Sequence, residues 1–211
     1  MIRVIIPARG GSKRILGKNL LKIGDKTLVE NAVEIAKNIT DEVWVSTDNT
    51  EIAHASYKSK AKVHYRKPEL ATDFSPTIDT VNNFLDEYPD TSILVLIQCT
   101  SPYIDPKDII RGIECINTGN YNSCLSVYEE RSFYWKKKDN KGYPLYDSDS
   151  KPRTQDMDPY YRETGAFYIF KTSNYDKTQL LPDPVCLVNT KLENSFEIDD
   201  NNDYNFIKKI R

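Results

Sequence analysis

The chain carries an uninterrupted apolar run at residues 93–97, Ile93-Leu94-Val95-Leu96-Ile97. Five residues are too few for a stable helix, and the run leaves neither face of a strand polar. A strand of this kind is typical of the centre of a parallel sheet that helices cover on both faces. The run therefore predicts an α/β protein.

Further short runs rich in valine and isoleucine alternate with helical patterns over the first 120 residues. The predicted strands are Ile2 to Ile6, Val43 to Ser46 and Val63 to Tyr65. The predicted helices begin after the capping box Thr27 to Glu30, after Ser75 and at the N-cap Asp105-Pro106. This alternation predicts a Rossmann-like, mostly parallel sheet with helices on both faces, whose ligands bind beyond the carboxyl ends of the strands.

The last 91 residues hold ten of the fourteen tyrosines and lose the helical periodicity. Two segments, Phe133 to Lys138 and Tyr143 to Tyr146, predict a β-hairpin. Such a hairpin is not stable alone in water. We expect residues 128–162 to form an inserted dimerisation arm that packs on a second subunit in a homodimer; an arm folded on its own domain is the alternative.

Residues 1–127 and 163–211 then form the core domain. In its second part, Gly165 to Phe170 predicts a strand, and a helix is expected near Asn202 to Ile210. A length of 211 residues suits one such domain with one small insertion.

Charge and hydropathy exclude several classes of partner. With 29 Lys and Arg against 31 Asp and Glu, the net charge of −2 gives no general attraction to nucleic acid or to an anionic membrane. The N-terminus offers a five-residue apolar stretch, whereas a signal peptide needs about 7–15 residues. No run approaches the about 18 apolar residues of a membrane-spanning helix. We expect a cytoplasmic protein with small-molecule ligands.

The cysteines give no sign of a metal site or of a disulfide framework. They are Cys99, Cys115, Cys124 and Cys186, with no C-x-x-C pair, and the chain has two histidines. A zinc cluster is therefore not expected. In a cytosolic protein we expect four reduced thiols.

The segment Pro7 to Asn19, with the sequence PARGGSKRILGKN, follows the first predicted strand. It places Arg9, Lys13, Arg14 and Lys18 among three glycines. Backbone N–H groups that converge in a glycine-bearing loop, together with cations, suit a polyphosphate. A Walker loop is excluded because Ser12 and Asn19 stand where that motif needs Gly and Ser or Thr, and G-x-G-x-x-G is absent. A solvated basic loop is the alternative.

This segment resembles the signature of the CMP-sialic acid synthetases, or acylneuraminate cytidylyltransferases, a family that includes legionaminic and pseudaminic acid cytidylyltransferases. Further stretches resemble the family's motifs in the family's order: Ser46-Thr47-Asp48, Arg66-x-Pro68, Leu70-Ala71-x-Asp73, Gln98-x-Thr100-Ser101-Pro102, Arg153-x-Gln155-Asp156 and Gly165-Ala166-x-Tyr168. The resemblance spans nearly the whole chain. It implies transfer of CMP from CTP to the anomeric hydroxyl of a nine-carbon 2-keto sugar acid, with release of pyrophosphate.

The resemblance also implies roles for individual residues. The expected CTP-binding residues are Arg9, Gly10, Gly11, Ser12, Lys18, Asn19, Arg66, Asp73, Ser75 and Thr77. The expected sugar-binding residues are Gln98, Thr100, Ser101, Pro102, Arg153, Gln155 and Tyr168, and Tyr160, Tyr161 and Phe167 are further candidates for the wall of the sugar site. Arg9, Lys18 and Gln98 are expected to be catalytic. A backbone partner for Gln98 and a plain surface position for Arg153 are the alternatives.

Near the C-terminus, Glu197-Ile198-Asp199 departs from the two aspartates that relatives carry two residues apart. On a strand, alternation would place both carboxylates on one face, where they would hold Mg²⁺ against the triphosphate. Such an ion would also lower the pKa of the attacking hydroxyl. Exposed carboxylates at a helix start are the alternative. No histidine lies in any motif, so the general base is unassigned.

Two other functions stay open from the sequence. A cytidylyltransferase for eight-carbon keto sugar acids shares the reaction, although Gly10 to Arg14 argues against its usual shorter loop. A catalytically inactive nucleotide-binding scaffold is favoured by Glu197 alone.

Overall fold

A computed structural model describes residues 1–210. The strands are β1 (Ile2–Pro7), β2 (Lys22–Ile23), β3 (Lys26–Thr27), β4 (Val43–Thr47), β5 (Lys62–Tyr65), β6 (Ile93–Ile97), β7 (Ser123–Glu130), β8 (Trp135–Lys138), β9 (Lys141–Pro144), β10 (Tyr160–Lys171) and β11 (Val185–Asn189). The helices are α1 (Leu28–Lys37), α2 (Thr50–Lys58), α3 (Thr77–Glu87), α4 (Pro106–Asn117) and α5 (Asn201–Ile210).

The main sheet has seven strands in the order β11-β7-β10-β6-β1-β4-β5. Strands β6, β1, β4 and β5 run parallel to one another, and β11 runs parallel to β7. Strand β10 is antiparallel to both of its neighbours, β6 and β7. The predicted α/β fold with a mostly parallel sheet is confirmed.

The central strand is buried on both faces, as the apolar run predicts. Ile93, Val95 and Ile97 of β6 belong to a core that also contains side chains of α1 and α4. Leu94 and Leu96 point to the other face, where they pack with Phe84 of α3 and Phe170 of β10. The period-2 alternation of a strand thus divides one continuous apolar run between two helical layers.

The predicted helix starts at Thr27 and Asp105 are confirmed. The Glu30 backbone N donates to Thr27 Oγ1 at 3.3 Å, and the Thr27 N donates to Glu30 Oε2 at 2.8 Å, which completes the capping box. Asp105 Oδ1 accepts from the Lys107 N at 3.0 Å, with Pro106 as the first helical residue. Within residues 1–210, no helix is long and apolar enough to cross a bilayer.

The predicted hairpin is present as β8 and β9, which form a two-stranded sheet of their own. The expected limits of the arm, residues 128 and 162, fall inside β7 and β10, which pair beyond the core from Val127–Glu163 to Glu130–Tyr160. The base of the arm is therefore an extension of the main sheet.

The expectation of four reduced cysteines is wrong for one pair. Cys115 of α4 and Cys186 of β11 form a disulfide, while Cys99 and Cys124 are free and buried. Burial raises the pKa of both free thiols to about 12. The two bonded residues are 71 positions apart, and only the packing of α4 against β11 brings them together.

Candidate active site

A cleft with a volume of about 830 Å³ opens beyond the carboxyl ends of the parallel strands. Its walls come from the segment after β1, the segment from Arg66 to the start of α3, the end of β6, and β10. Predicted site residues that line it are Arg9, Ser12, Lys18, Asn19, Arg66, Asp73, Ser75, Thr77, Gln98, Thr100, Tyr168 and Glu197. The structure thus brings together residues that span most of the chain.

The cationic loop, residues 8–19, is held on one side by the segment that follows β5. Arg9 Nη1 donates to the Thr72 carbonyl at 2.6 Å, and Arg9 Nη2 lies 3.1 Å from Asp73 Oδ1. Lys13 Nζ lies 2.5 Å from Asp73 Oδ2. The hydrogen bond from Lys13 is the main reason that the pKa of Asp73 is lowered. Asp73 therefore pairs with two of the loop cations at the wall of the cleft.

The second half of the cationic loop is held by the carboxylate segment, residues 197–199. Lys18 Nζ donates to the Ile198 carbonyl at 2.9 Å and lies 3.4 Å from Asp199 Oδ1. Arg14 Nη1 lies 3.4 Å from Asp199 Oδ2. Two carboxylates, Asp73 and Asp199, thus each pair with two of the four loop cations.

Gly10 and Asn19 shape the cationic loop through protein contacts. The Gly10 N donates to Asp48 Oδ1 at 2.8 Å, so this N–H is directed at a carboxylate of the protein and not at a polyphosphate as the sequence had suggested. A Cβ at Gly10 would lie 2.8 Å from the Asn49 Cβ, which explains the glycine. The buried Asn19 amide donates to the Arg9 carbonyl at 3.0 Å. These contacts fix the loop's course along the cleft.

Arg66 lies at the floor of the cleft and is 9% exposed. Its Nη2 donates to the Ser46 carbonyl at 3.0 Å, and its Nε donates to Ser46 Oγ at 3.3 Å. Burial lowers the pKa of Arg66 to about 10, an effect that the nearby charge of Asp48 opposes. The guanidinium remains charged at neutral pH and has no hydrogen-bond partner for Nη1 among residues 1–210.

The carboxylate segment forms the facing wall. Thr100 Oγ1 donates to Glu197 Oε1 at 2.8 Å, and the Ile198 N donates to the Thr100 carbonyl at 2.8 Å. Burial raises the pKa of Glu197, with the charge of Asp199 as a further cause. The predicted strand at this segment is wrong, because residues 195–200 lie outside any strand. The fully buried Ile198 instead anchors an extended segment with a carboxylate on each side.

Strand β10 contributes a polar group that sequence reasoning missed. Glu163 lines the cleft and accepts a hydrogen bond from the Tyr168 hydroxyl. Burial, followed by this contact, raises the pKa of Tyr168. Glu163 lies two residues before Gly165, the first residue of the Gly165-Ala166-x-Tyr168 motif. This closeness to a motif is the signal in the sequence that could have identified Glu163 as a site residue. The Gln98 side-chain amide also lines the cleft and has no hydrogen-bond partner among residues 1–210.

Several predicted sugar-binding residues lie outside the lining of the cleft. Ser101 is buried, and Pro102 lines a second, smaller pocket, where its carbonyl accepts from Asn31 Nδ2 at 2.7 Å. Phe167 is buried in the core. Arg153 and Gln155 are exposed on the arm, and Arg153 Nε donates to Asp156 Oδ2 at 2.6 Å. The candidate wall residues Tyr160 and Tyr161 are likewise half-exposed on the arm side of β10.

A sequence model of the family described as "Cytidylyltransferase" matches residues 3–210. The chain belongs to the cytidylyltransferase family. It is 33% identical over 205 residues to N-acylneuraminate cytidylyltransferase A of Danio rerio, covering 94% of this chain and 48% of that protein. It is 32% identical over 178 residues to the pseudaminic acid cytidylyltransferase of Campylobacter jejuni, covering 78% of this chain and 76% of the relative.

Solved structures agree on the fold of this cytidylyltransferase. A CMP:2-keto-3-deoxy-manno-octonic acid synthetase complexed with CTP superposes with a TM-score of 0.72 at 18% identity, covering 99% of this chain and 97% of that one. The cytidylyltransferase spans less than half the length of the first N-acylneuraminate relatives that it matches.

Proposed function

We propose that this cytidylyltransferase transfers CMP from CTP to the anomeric hydroxyl of a nine-carbon 2-keto sugar acid and releases pyrophosphate. The observation that carries the proposal is that a loop with four cations lines a cleft whose facing wall bears Glu197. The names of the relatives, N-acylneuraminate and pseudaminic acid cytidylyltransferases, support an acceptor of the sialic or pseudaminic type. Legionaminic acid belongs to the same class of acceptor.

In this proposal the chain's own residues act mainly by charge and position. Arg9 and Lys18, with Lys13 and Arg14 at the rim, neutralise the triphosphate so that an uncharged hydroxyl can approach the α-phosphorus. Asp73 leaves Arg9 and Lys13 when the triphosphate arrives. Gln98, whose amide is free toward the cleft, orients the acceptor sugar for attack.

Glu197 and Asp199 suit Mg²⁺. Thr100 contacts Oε1 of Glu197, and the charge of Asp199 contributes to the raised pKa of Glu197, so the two carboxylates are close enough to repel each other. Residues 1–210 contain no group of three or more His, Cys, Asp or Glu side chains placed to hold a metal. Two carboxylates plus substrate phosphates and water are the usual ligands of Mg²⁺. When bound, the ion would neutralise phosphate charge and polarise the reacting oxygens.

The arm supports a homodimer as part of the proposal. Trp135, Tyr143 and Leu145 are each about half exposed on or beside the hairpin, which lies apart from the main sheet. A second subunit would cover these side chains and bring Arg153 and Gln155 toward the partner's cleft. Light scattering should give twice the chain mass, and a mass of one chain would contradict it. We place the enzyme in the cytoplasm.

Pyrophosphate release tests the activity. The purified protein is incubated with CTP, Mg²⁺ and a panel of nine-carbon acids (sialic, legionaminic and pseudaminic) and an eight-carbon keto sugar acid. Turnover with a nine-carbon acid is expected. Turnover with the eight-carbon acid alone would show that the acceptor is an eight-carbon acid and not a nine-carbon one. CTP binding without turnover on any acid would show that the protein is a nucleotide-binding scaffold.

A further inference from the structure

On the side away from the cleft, Arg66 is held by a chain of polar side chains that do not themselves line the cleft. Its Nε donates to Ser46 Oγ at 3.3 Å, and the same Ser46 Oγ lies 2.9 Å from Nδ1 of His64. Ser46 is fully buried and His64 is 2% exposed. Beyond the histidine, its Nε2 lies 3.4 Å from Oε1 of Glu87 at the end of α3. The chain of polar groups therefore runs from the cleft along one face of the sheet to the protein surface.

The sheet register explains why these groups meet. Ser46 of β4 is the direct parallel partner of His64 of β5, so their side chains leave the sheet on the same face. Arg66 follows His64 by two residues and, by the alternation of an extended chain, returns to that face. Phe84 of α3 packs its edge at 90° to the imidazole, with ring centroids 5.5 Å apart, and keeps the histidine in place.

Chemistry fixes the direction of one hydrogen bond in this chain, and the tautomer of His64 sets the direction of the other. A guanidinium can only donate, so Ser46 Oγ accepts from Arg66 and its own O–H is free to donate to His64 Nδ1. In that arrangement Nδ1 is unprotonated and the proton lies on Nε2, which faces Glu87 at 3.4 Å without a hydrogen bond among residues 1–210. The Arg66 Nε–H and the Ser46 O–H then each have an acceptor when His64 is neutral.

We infer that His64 is a positioning residue for nucleotide binding, because it holds the Arg66 guanidinium in the cleft through Ser46. The inference rests on the proposed function and on the expectation from the sequence that Arg66 binds CTP. His64 does not touch the cleft, and it is absent from every motif noted in the sequence. His64 therefore acts on the orientation of the Arg66 guanidinium, and its loss is expected to change the affinity for CTP.

The arrangement also predicts a pH dependence. The charged groups that face His64 are Glu87 from α3 and Arg66 from beyond β5, with the Asn83 amide beside them. Burial is the largest cause of the lowered pKa of His64, and the charge of Arg66 lowers it further while Glu87 opposes both. The neutral form is therefore favoured more strongly than in a free imidazole, and it is lost as the pH falls through the lowered pKa, below the ordinary value of 6.5. Protonation makes Nδ1 a second donor toward Ser46 and adds a cation near Arg66.

Two substitutions at His64 separate the positioning role from packing. His64→Leu keeps an apolar group against Phe84 but removes the acceptor. His64→Asn places an amide oxygen where Nδ1 lies and does not titrate. At pH 7.5 we expect CTP to bind His64→Leu about two- to tenfold more weakly, the usual value of one hydrogen bond, and His64→Asn within about twofold of wild type. The KM for the sugar acid should change little in either variant.

Calorimetric CTP binding at pH 7.5 and at a lower pH, chosen where an NMR spectrum shows His64 to be protonated, completes the test. CTP itself titrates in this range, but the comparison between proteins at each pH removes that contribution. Wild type should lose more affinity on acidification than His64→Asn. Equal losses would overturn the inference, as would wild-type affinity in a folded His64→Leu. If His64→Leu does not fold, Ser46→Ala replaces it, with the same loss expected.

The outcomes distinguish this inference from the proposed function. Wild-type protein that fails to bind CTP contradicts the proposed function and, with it, the role of His64 in nucleotide affinity. Wild-type protein that binds CTP with no effect of either histidine variant contradicts the inference alone. A ¹⁵N NMR spectrum of the free protein at pH 7.5 should show His64 with an unprotonated Nδ1, and a protonated Nδ1 would contradict the hydrogen-bond directions.

Discussion

Two regions of the cationic loop, around Lys13 and around Lys18, differ in how firmly the protein holds the lysine. Lys13, in the first half, has a side chain that is 76% exposed and contacts only Asp73, which is itself on a surface segment. Lys18, in the second half, is 16% exposed and is bound by the Ile198 carbonyl and Asp199. The same residue type therefore occurs once as a largely exposed charge and once as a largely buried one.

This difference indicates which of the loop cations contributes most to stabilising the transition state. Electrostatic stabilisation is largest where donors are already oriented and water is excluded, because no reorganisation is needed when charge develops. An exposed ion pair contributes little and is screened by salt. We therefore expect Lys18 to stabilise the transition state and Lys13 mainly to attract the nucleotide.

Lys18→Ala should have the largest effect. Removing one preorganised donor typically lowers the rate about 10²–10³-fold, and we expect kcat to fall by that amount with CTP and a nine-carbon acid. Lys18→Arg should recover part of the loss. Steady-state kinetics measure both, and a fall no larger than that of Lys13→Ala would contradict the distinction between the two lysines.

Gly165→Ala tests the wall that holds the second half of the loop. Gly165 has a φ of +69°, and a Cβ there would lie 3.0 Å from Glu197 Oε2, so the substitution should displace this carboxylate. Gly24→Ala is the matched control, since Gly24 has a φ of +64° with nothing within 4 Å of its Cβ. Both variants should lose similar stability, about 1–2 kcal/mol from backbone strain. Activity should fall at least tenfold more in Gly165→Ala; equal activity would contradict the role of Glu197.

Lys13→Ala and Asp73→Asn should have small and opposite effects. Lys13→Ala should raise the Kd for CTP less than about tenfold, with the change vanishing in high salt. Asp73→Asn should lower the Kd by up to about fivefold, because it frees Arg9 and Lys13 from a competing carboxylate. Calorimetry measures both, and weaker CTP binding by Asp73→Asn would show that this side chain binds the nucleotide directly.

The sequence predicts the parts of this molecule that depend on local periodicity. The run at residues 93–97, the capping box at Thr27 and the hairpin near residue 140 all follow from spacing within about ten residues. Helix α2 was missed because its burial rests on few apolar residues, Ile52 and Ala53 among them. The partition of β6 between two cores could be anticipated because alternation is a property of the strand itself.

The site could be predicted only as a set of residues. That Arg9 and Lys18 line one cleft follows from their place after a parallel strand. Three contacts in the site join segments that are distant in the chain. Asp73 pairs with Arg9, the Gly10 N donates to Asp48, and Glu197 accepts a hydrogen bond from Thr100. The Cys115–Cys186 disulfide was missed for the same reason.

Thiol counting checks that disulfide and has the smallest expected consequence for function. In denaturant without reductant, the protein should show two reactive thiols, from Cys99 and Cys124, and four after reduction. Four thiols without reductant would contradict the pairing of Cys115 with Cys186. Because the pair joins α4 to β11, away from the cleft lining, reduction should leave CTP affinity within about twofold of the oxidised protein.

A crystal structure of the protein with CTP and Mg²⁺ would show whether the cationic loop binds the triphosphate. We predict triphosphate oxygens at about 2.7–2.9 Å from Lys18 Nζ and from the Arg9 guanidinium, with Asp73 released from Arg9. A triphosphate bound elsewhere, with Arg9 and Lys13 still paired to Asp73, would contradict it.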